Sequence, residues 1–365
     1  MNFLNYKNYY LINIYPILLG FIGATIIFRE FSAYMLAFLT IITLAFFKKL
    51  FFKKKLFIEW VFISLPLLLQ ILFFWNNESY YEGIKELEKY TAYFVLPLII
   101  LFQKNKININ TILKWFSFFF TTILFLGVLK YVLFNYESVA QYFNGEMVWQ
   151  MGYAIANSLG THAPALNLHI SFLCFINLYL LGDSLKNTHG FRLVFLKTFL
   201  LLISICVLLT INTRLAISLF FLAAIFFILK LKIDNSLRTK TIIGGSILAL
   251  TLSFLFTFPS TIDKYVAKTF NNLDMIGKID EVKNPEKMIY GSLVTRASVW
   301  SVVIELSYSK LAYGYGVSAA YPKLFEAYGL LGQDFLNKYK YKVHNQYLDF
   351  LLKFGVLGII LTILF

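Results

Sequence analysis

Arg214 and Arg296 are two charged residues in a largely apolar chain whose positions suggest a chemical role. Arg214 ends the short polar break Asn212-Thr213-Arg214 between two apolar runs, and Arg296 lies in a long polar segment, residues 259–343. An arginine at hydrocarbon depth costs up to about 3 kcal/mol unless it faces water or an anion. Because its planar fork binds two oxygens at once, an arginine in such a place suits a phosphate group. The competing interpretations are a snorkelling arginine for Arg214 and an ordinary surface arginine for Arg296.

Histidine is the second residue type that could do chemistry. His344-Asn345 opens the last apolar run, and His162 opens an earlier one. The N–H groups at a helix N-terminus favour anions and the neutral form of a histidine. A neutral His344 could act as a general base near pH 7. The alternative is a polar residue that only satisfies the end of a helix.

The surroundings of Arg296 also predict structure. Residues 293–306 carry apolar side chains at helical spacing, and Arg296 stands beside the apolar stripe, as a residue at a cavity wall would. The stripe consists of Val294, Ala297, Trp300, Val303 and Ile304. Further along, Gly314 and Gly316 mark a point where the backbone comes close to another group. Residues 321–341 are rich in tyrosine and lysine, which suits sugar stacking and equally suits a solvated cover.

The elements that must position these residues are membrane helices. The chain is 59% hydrophobic and only 14% charged, and a soluble domain could not hide so much apolar surface. Recurring apolar runs of about 20 residues predict an all-α polytopic membrane protein with about ten transmembrane helices. The predicted spans are residues 10–28, 31–47, 56–75, 90–102, 112–134, 162–181, 193–211, 215–231, 241–258 and 344–365. The fourth of these is short and contains Pro97, so we expect it to be broken or tilted.

Basic residues predict the orientation of the spans. Lysines and arginines cluster in alternate short connections, namely those after the second, fourth, sixth and eighth spans. Since positive charge stays in the cytoplasm, the N-terminus is predicted to be cytoplasmic and the segment 259–343 extracytoplasmic. All four residues considered above then fall on the outer side. We therefore divide the chain into a helix bundle (1–258), a large periplasmic loop (259–343) and a further transmembrane helix (344–365).

Composition also restricts cofactors and partners. The outward segments contain no Asp-x-Asp motif and no histidine and cysteine cluster, so the sequence predicts no metal and no other cofactor. Cys174 and Cys206 lie inside apolar runs and read as small core residues. The net charge of +14 follows from topology, so membrane lipids are expected partners and nucleic acid is not.

The order of these motifs resembles the O-antigen ligase and polymerase superfamily. That family has an arginine followed by small residues in an outward turn, then Arg-x-x-x-Trp and Gly-x-Gly in a long loop, then His-Asn opening a helix. The matching positions here are Thr213-Arg214-Leu215-Ala216, Arg296 with Trp300, Gly314 with Gly316, His344-Asn345-Gln346-Tyr347-Leu348 and Phe354-Gly355-Val356-Leu357-Gly358. Leu215 departs from the usual glycine or serine. His162 before Ala163-Pro164 also looks like the family's histidine at an outward helix end.

The resemblance implies a membrane-embedded glycosyltransferase of the GT-C type in the bacterial inner membrane. It would move a polysaccharide from undecaprenyl-diphosphate to a lipid A-core acceptor at the periplasmic face, with inversion and without a metal. His344 would be the catalytic base, and Arg214 and Arg296 would bind the diphosphate. His162, Asn345 and Trp300 would support the site or contact the acceptor. Since relatives carry further spans after the His-Asn helix, residues 344–365 are expected to be a truncated end.

Two alternatives stay open at this point. An O-antigen or capsule polymerase of the same superfamily would use the same residues on the next carrier-linked repeat unit. A polysaccharide transporter belongs to a different class, which tends to show repeated halves with helices broken by glycine or proline. No such repeat is visible, and a single long outward loop argues against a transporter.

Overall fold

A computed structural model describes residues 3–46, 54–101, 108–144, 150–186, 191–230, 272–288 and 293–364. Throughout these ranges the regular structure is helical and contains no strand, which confirms the all-α prediction. The predicted span 241–258 lies outside the described residues. The remaining predicted spans all coincide with helices.

Ten helices form the first part of the described chain. They are α1 (Phe3–Thr25), α2 (Arg29–Phe46), α3 (Lys54–Leu72), α4 (Tyr80–Leu101), α5 (Ile109–Phe134), α6 (Tyr136–Phe143), α7 (Gln150–Ser158), α8 (Ala163–Lys186), α9 (Phe191–Ile211) and α10 (Arg214–Lys230). The later helices are α11 (Pro285–Met288), α12 (Leu293–Ser307), α13 (Gly316–Leu330), α14 (Asp334–Lys338) and α15 (Gln346–Leu364). The sequence did not predict α6 and α7, which are short and half polar.

Some of these helices are suited to a membrane. Within the described ranges, four are long and apolar enough to cross a bilayer, namely Lys54–Leu72, Ile109–Phe134, Ala163–Leu185 and Arg192–Ile211. Two shorter apolar helices cover Ile14–Thr25 and Leu215–Lys230. On α10, Leu222, Phe226 and Leu229 are 66, 65 and 75% exposed, and such side chains need lipid or protein around them. The structure thus supports a membrane protein, and the count of about ten spans stays a prediction.

Helix α4 differs from its prediction. It is a single helix from Tyr80 to Leu101 rather than a short span from residue 90. Pro97 lies inside it and has no N–H to give to the carbonyl of Tyr93. The hydroxyl of Ser64 on α3 donates to that carbonyl at 3.2 Å, and Trp60 Nε1 donates to the next carbonyl, Phe94 O, at 3.1 Å. The neighbouring helix therefore replaces the bond that proline removes.

The chain divides into two compact units. The first consists of residues 1–46 and 105–265, and the second of residues 47–104 and 266–365. In the first unit α8 packs against α5, α7, α9 and α10. Its core is mainly apolar and includes a polar bridge at Asn177, which accepts from the hydroxyl of Ser117 and donates to Ser204 Oγ at 3.1 Å. This bridge connects α5, α8 and α9 deep inside the unit.

The second unit shows that the described part of the long polar segment is folded. Its core brings together α12, α13, α14 and the first half of α15, with Ile279 from a preceding 3-10 turn. The largest fully buried side chain is Tyr328, whose hydroxyl donates to the carbonyl of Tyr341 at 2.9 Å. Phe335 stacks on Tyr341 with ring centroids 5.9 Å apart. Burial of the Phe335 ring stabilises the unit by about 1.5–3 kcal/mol.

Candidate functional site

Trp300 fixes the backbone that leads to His344. Its indole Nε1 donates to the carbonyl of Val343 at 2.9 Å, across 43 positions of sequence. Val343 is fully buried in the core of the second unit. Helix α12 therefore holds the residue immediately before His344, a role that the sequence pattern alone did not reveal.

His344 lies just outside α15 rather than in its first turn. The helix begins at Gln346, and Asn345 Oδ1 accepts from the N–H groups of Tyr347 at 3.0 Å and Leu348 at 3.4 Å. Asn345 is thus the capping residue. His344 is exposed and has a φ of 49°, in the left-handed region that few residues other than glycine adopt. The helix was predicted to begin at His344 and instead begins two residues later, at Gln346. His344 therefore lies at the rim of the helix end.

Arg296 is exposed on α12, one helical turn before Trp300. Residues four apart lie on one side of a helix, so Arg296 and Trp300 are neighbours along α12. The predicted apolar stripe is correct for Val294 and Val303 and wrong for Ile304, which is 43% exposed. The buried face of α12 consists of Val294, Thr295, Ser298, Val299, Val302, Val303 and Ser307. Small hydroxyl residues let α12 pack closely, and Ser298 Oγ accepts from the N–H of Gly277 at 2.8 Å.

A buried ionic cluster lies in the first turns of α15. Lys353 Nζ donates to Asp349 Oδ2 at 2.7 Å, one helical turn away on α15. Tyr321 on α13 donates its hydroxyl to Asp349 Oδ1, also at 2.7 Å. Burial, and then the nearby Asp349 carboxylate, raise the pKa of Tyr321, so this phenol stays protonated and able to donate.

The structure confirms that the backbone at Gly314 and Gly316 lies very close to other parts of the chain. Gly314 and Gly316 have φ of 66° and 77°. A Cβ on Gly314 would lie 2.5 Å from the backbone carbon of Lys353, and one on Gly316 would lie 2.1 Å from the carbonyl oxygen of Asn76. Asn76 Nδ2 donates to the carbonyls of Tyr313 and Gly314 at 3.0 and 3.1 Å. The connection between α3 and α4 therefore closes tightly around the start of α13.

In the first unit, His162 lines a pocket of about 540 Å³. The pocket is lined by Ile26, Ile27, Asn157, Gly160, Thr161, His162 and Ala165. His162 is exposed, precedes α8 and meets the ring of Tyr153 edge-on, with centroids 6.3 Å apart. The lining has amide, hydroxyl and imidazole groups beside apolar side chains, which is a mixture that suits a sugar ring.

The turn that carries Arg214 is also in the first unit. Asn212 has a φ of 58°, and Arg214 is the first residue of α10. The hydroxyl of Thr213 accepts from Asn167 Nδ2 on α8 at 2.8 Å. A Cβ on Gly152 of α7 would lie 2.4 Å from the carbonyl oxygen of Ile211. The tight turn is thus confirmed and held from two sides, while the side chain of Arg214 lies outside the described residues.

Two groups of predicted site residues emerge. Arg296, Trp300, His344 and Asn345 belong to the second unit, where Trp300 connects α12 to the segment before His344. His162 and Arg214 belong to the first unit, where Asn167 joins the start of α8 to the Arg214 turn. Among the described side chains, no group of three or more histidine, cysteine or carboxylate residues could hold a metal ion. Metal independence stays a prediction.

Comparison with known proteins gives one match. The search of curated proteins and the search of solved structures found none. A family model described as O-antigen ligase matches residues 199–363, from within α9 almost to the end of α15. The matched segment contains Arg214, Arg296, Trp300, His344 and Asn345, so the resemblance inferred from their spacing is confirmed. The match over residues 199–363 supports a relation to the O-antigen ligase and polymerase superfamily.

Proposed function

We propose that the protein is an O-antigen ligase-like glycosyltransferase. It moves a polysaccharide from undecaprenyl-diphosphate to a lipid A-core acceptor at the periplasmic face of the bacterial inner membrane. The observation that carries this proposal is the family match, because it covers the arginines and the His-Asn pair together. The family itself indicates ligase- or polymerase-like activity on lipid-linked glycans, and the choice of ligase is ours.

The reaction is a single displacement at the anomeric carbon of the donor. A hydroxyl of the acceptor sugar attacks this carbon, and the bond from the carbon to the diphosphate oxygen breaks, so that the diphosphate leaves with the electron pair. Attack from the side opposite the leaving group inverts the configuration. The acceptor proton goes to a base, and the negative charge accumulates on the diphosphate.

His344 is the proposed base. It is exposed at the rim of a capped helix end, where an incoming hydroxyl can reach the imidazole. Its left-handed backbone is fixed by the buried Val343 before it and by the capping Asn345 after it. A backbone fixed on both sides limits the positions that the imidazole can take, which lowers the entropic cost of reaching the reactive geometry.

Arg214 and Arg296 are the proposed diphosphate ligands. Each guanidinium can give two charge-assisted hydrogen bonds to phosphate oxygens. In this proposal they take the part that a divalent ion plays in many soluble glycosyltransferases. Their charge would stabilise the leaving group as it forms, which is the largest contribution in many transfer reactions.

The His162 pocket is the proposed acceptor-side subsite. Its polar groups, Asn157, Thr161 and His162, can hydrogen-bond hydroxyls, and Ile26 and Ile27 can contact the apolar face of a sugar ring. A pocket of about 540 Å³ is within the range of roughly 300–1,000 Å³ usual for small-molecule sites.

The lipopolysaccharide of a strain that lacks this gene separates the two members of the superfamily. Loss of all O-antigen from the core, with polymer retained on the lipid carrier, is the result expected for a ligase. A core that carries a single repeat unit would identify a polymerase instead. Unchanged lipopolysaccharide and carrier-linked glycan would contradict both activities. Restoration of the native pattern by the gene on a plasmid is the control.

A further inference from the structure

Tyr321 on α13 contacts the chain on both sides of His344. Its ring lies 5.2 Å from Lys342 Nζ, two residues before the histidine, and its hydroxyl donates to Asp349, five residues after it. The ring also lies 5.2 Å from Lys353 Nζ. Tyr321 thus connects the segment before His344 to helix α15 after it.

Asp349 is held at both of its oxygens. Tyr321 donates to Oδ1 and Lys353 donates to Oδ2, each at 2.7 Å. The Asp349 and Lys353 side chains are only 12 and 7% exposed, and the N–H of Asp349 donates to the carbonyl of Asn345 at 2.8 Å. The carboxylate is therefore immobilised one turn below the capping residue.

Stability alone does not account for such a cluster. A buried ion pair gives little or no net stabilisation over an apolar pair of similar volume, because both charges must leave water. What a fully bonded carboxylate does give is a defined geometry. The geometry that this one defines is the first turn of α15, directly beside His344.

We propose that Tyr321, Asp349 and Lys353 position His344 for proton transfer. None of the three touches the reacting atoms in this arrangement; they act by fixing the α15 N-terminus and the Lys342–His344 segment on α13. The inference rests on the proposed role of His344 as base. It adds Tyr321 of α13, a residue that belongs to none of the motifs, to the groups that arrange the site.

The test is the variant Tyr321→Phe, which removes one hydroxyl and keeps the ring. Its matched control is Tyr315→Phe, which removes a hydroxyl that donates to the Leu306 carbonyl at 3.0 Å in the same unit. With purified protein, undecaprenyl-diphosphate-linked glycan and lipid A-core, kcat should fall about 10-fold for Tyr321→Phe, with the donor KM within about 2-fold. The control should keep its kcat. Equal kcat for the two variants would overturn the inference.

A second variant tests whether the cluster acts through His344. Asp349→Asn should lower kcat about 100-fold in the native background and less than about 3-fold in the His344→Ala background, since coupled residues are not additive. An equal loss in both backgrounds would show a merely structural role and overturn the inference. Should Asp349→Asn fail to fold, Tyr321→Phe alone decides.

A measurement without substrate distinguishes this inference from the proposed function. Amide hydrogen exchange of residues 344–349 should be faster in Tyr321→Phe than in the native protein, and unchanged in Tyr315→Phe. Unchanged exchange in Tyr321→Phe would overturn the positioning role whatever the reaction. Native protein that transfers no glycan would overturn the proposed function and, with it, the role of the cluster in catalysis.

Discussion

At the scale of single residues, the proposed reaction depends most on the guanidinium groups. Replacing Arg214 or Arg296 by lysine keeps the charge and loses the planar fork. Each variant should lose about 100-fold in kcat, the scale for removing one preorganised donor to a developing charge. The measurement is glycan transfer by purified protein. Arg192→Lys, an exposed arginine at the start of α9, is the control and should stay within about 2-fold. Full activity in Arg296→Lys would contradict the diphosphate role.

The two histidines should respond differently to removal. His344→Ala should be at least as damaging to kcat as the arginine variants while the donor still binds, because no donor contact is lost. Native activity should also fall as the pH is lowered, since a protonated imidazole cannot accept a proton, and the residual activity of His344→Ala should not follow. Normal turnover by His344→Ala would contradict its role as base, and lost donor binding would place His344 in the diphosphate site instead.

His162→Ala should mainly raise the KM for the acceptor.

The arginine proposal also makes a prediction about metal. If guanidinium groups stabilise the leaving diphosphate, transfer should persist after strong chelation, within about 2-fold of the untreated rate. The assay is transfer with and without chelator, followed by addition of magnesium or manganese as a control. Activity that is lost on chelation and restored by either ion would contradict the two-arginine mechanism.

At the scale of elements, two glycine variants distinguish the cost of a steric clash at Gly316 from the cost of backbone strain. Gly316 and Gly332 both have a positive φ, 77° and 65°, so alanine at either position costs about 1 kcal/mol in strain. A Cβ at residue 316 would also lie 2.1 Å from the Asn76 carbonyl oxygen, whereas nothing lies within 4 Å of one at residue 332. We expect Gly316→Ala to lose about 3 kcal/mol or more in unfolding free energy and Gly332→Ala about 1 kcal/mol. Thermal unfolding in detergent measures both, and equal losses would contradict the close approach of Asn76.

Much of the helical framework was predictable, and the reasons are local. Apolar periodicity set α5, α8, α9 and α10 within a few residues, because each helix is a continuous run of side chains that needs burial or lipid. The Asp349–Lys353 pair was predictable since residues four apart meet on a helix. Tyr321 was not, because its contact with Asp349 spans 28 positions and depends on how α13 packs against α15. The hydrogen bond from Trp300 to Val343 was not predictable for the same reason, because the two residues are 43 positions apart.

At the scale of the whole molecule, the exposed surfaces and the buried polar groups point to one environment. Large apolar side chains on α5 and α10 face outwards, including Leu133 at 69% and Leu229 at 75% exposure. Polar groups inside the first unit are meanwhile bonded to one another, as at Ser117, Asn177 and Ser204. Apolar side chains outside and hydrogen-bonded polar groups inside suit a bilayer, because lipid contacts apolar surface and offers no hydrogen bonds. The second unit adds a compact core to a segment that composition alone describes only as polar.

The orientation of the protein is predicted from its basic residues and can be tested directly. Lysines and arginines cluster in alternate connections, so residue 54 is predicted to lie in the cytoplasm and residue 283 outside. A reporter that is active only outside should therefore work when fused after Lys283 and fail after Lys54, and a cytoplasmic reporter should do the opposite. Substituting acidic residues for Lys53, Lys54 and Lys55 should weaken this contrast, while Lys85 and Lys89, predicted to lie outside, provide the matched control. The reverse result at residue 283 would place Arg296 and His344 in the cytoplasm, away from a periplasmic donor, and would remove the basis for a ligase at that face.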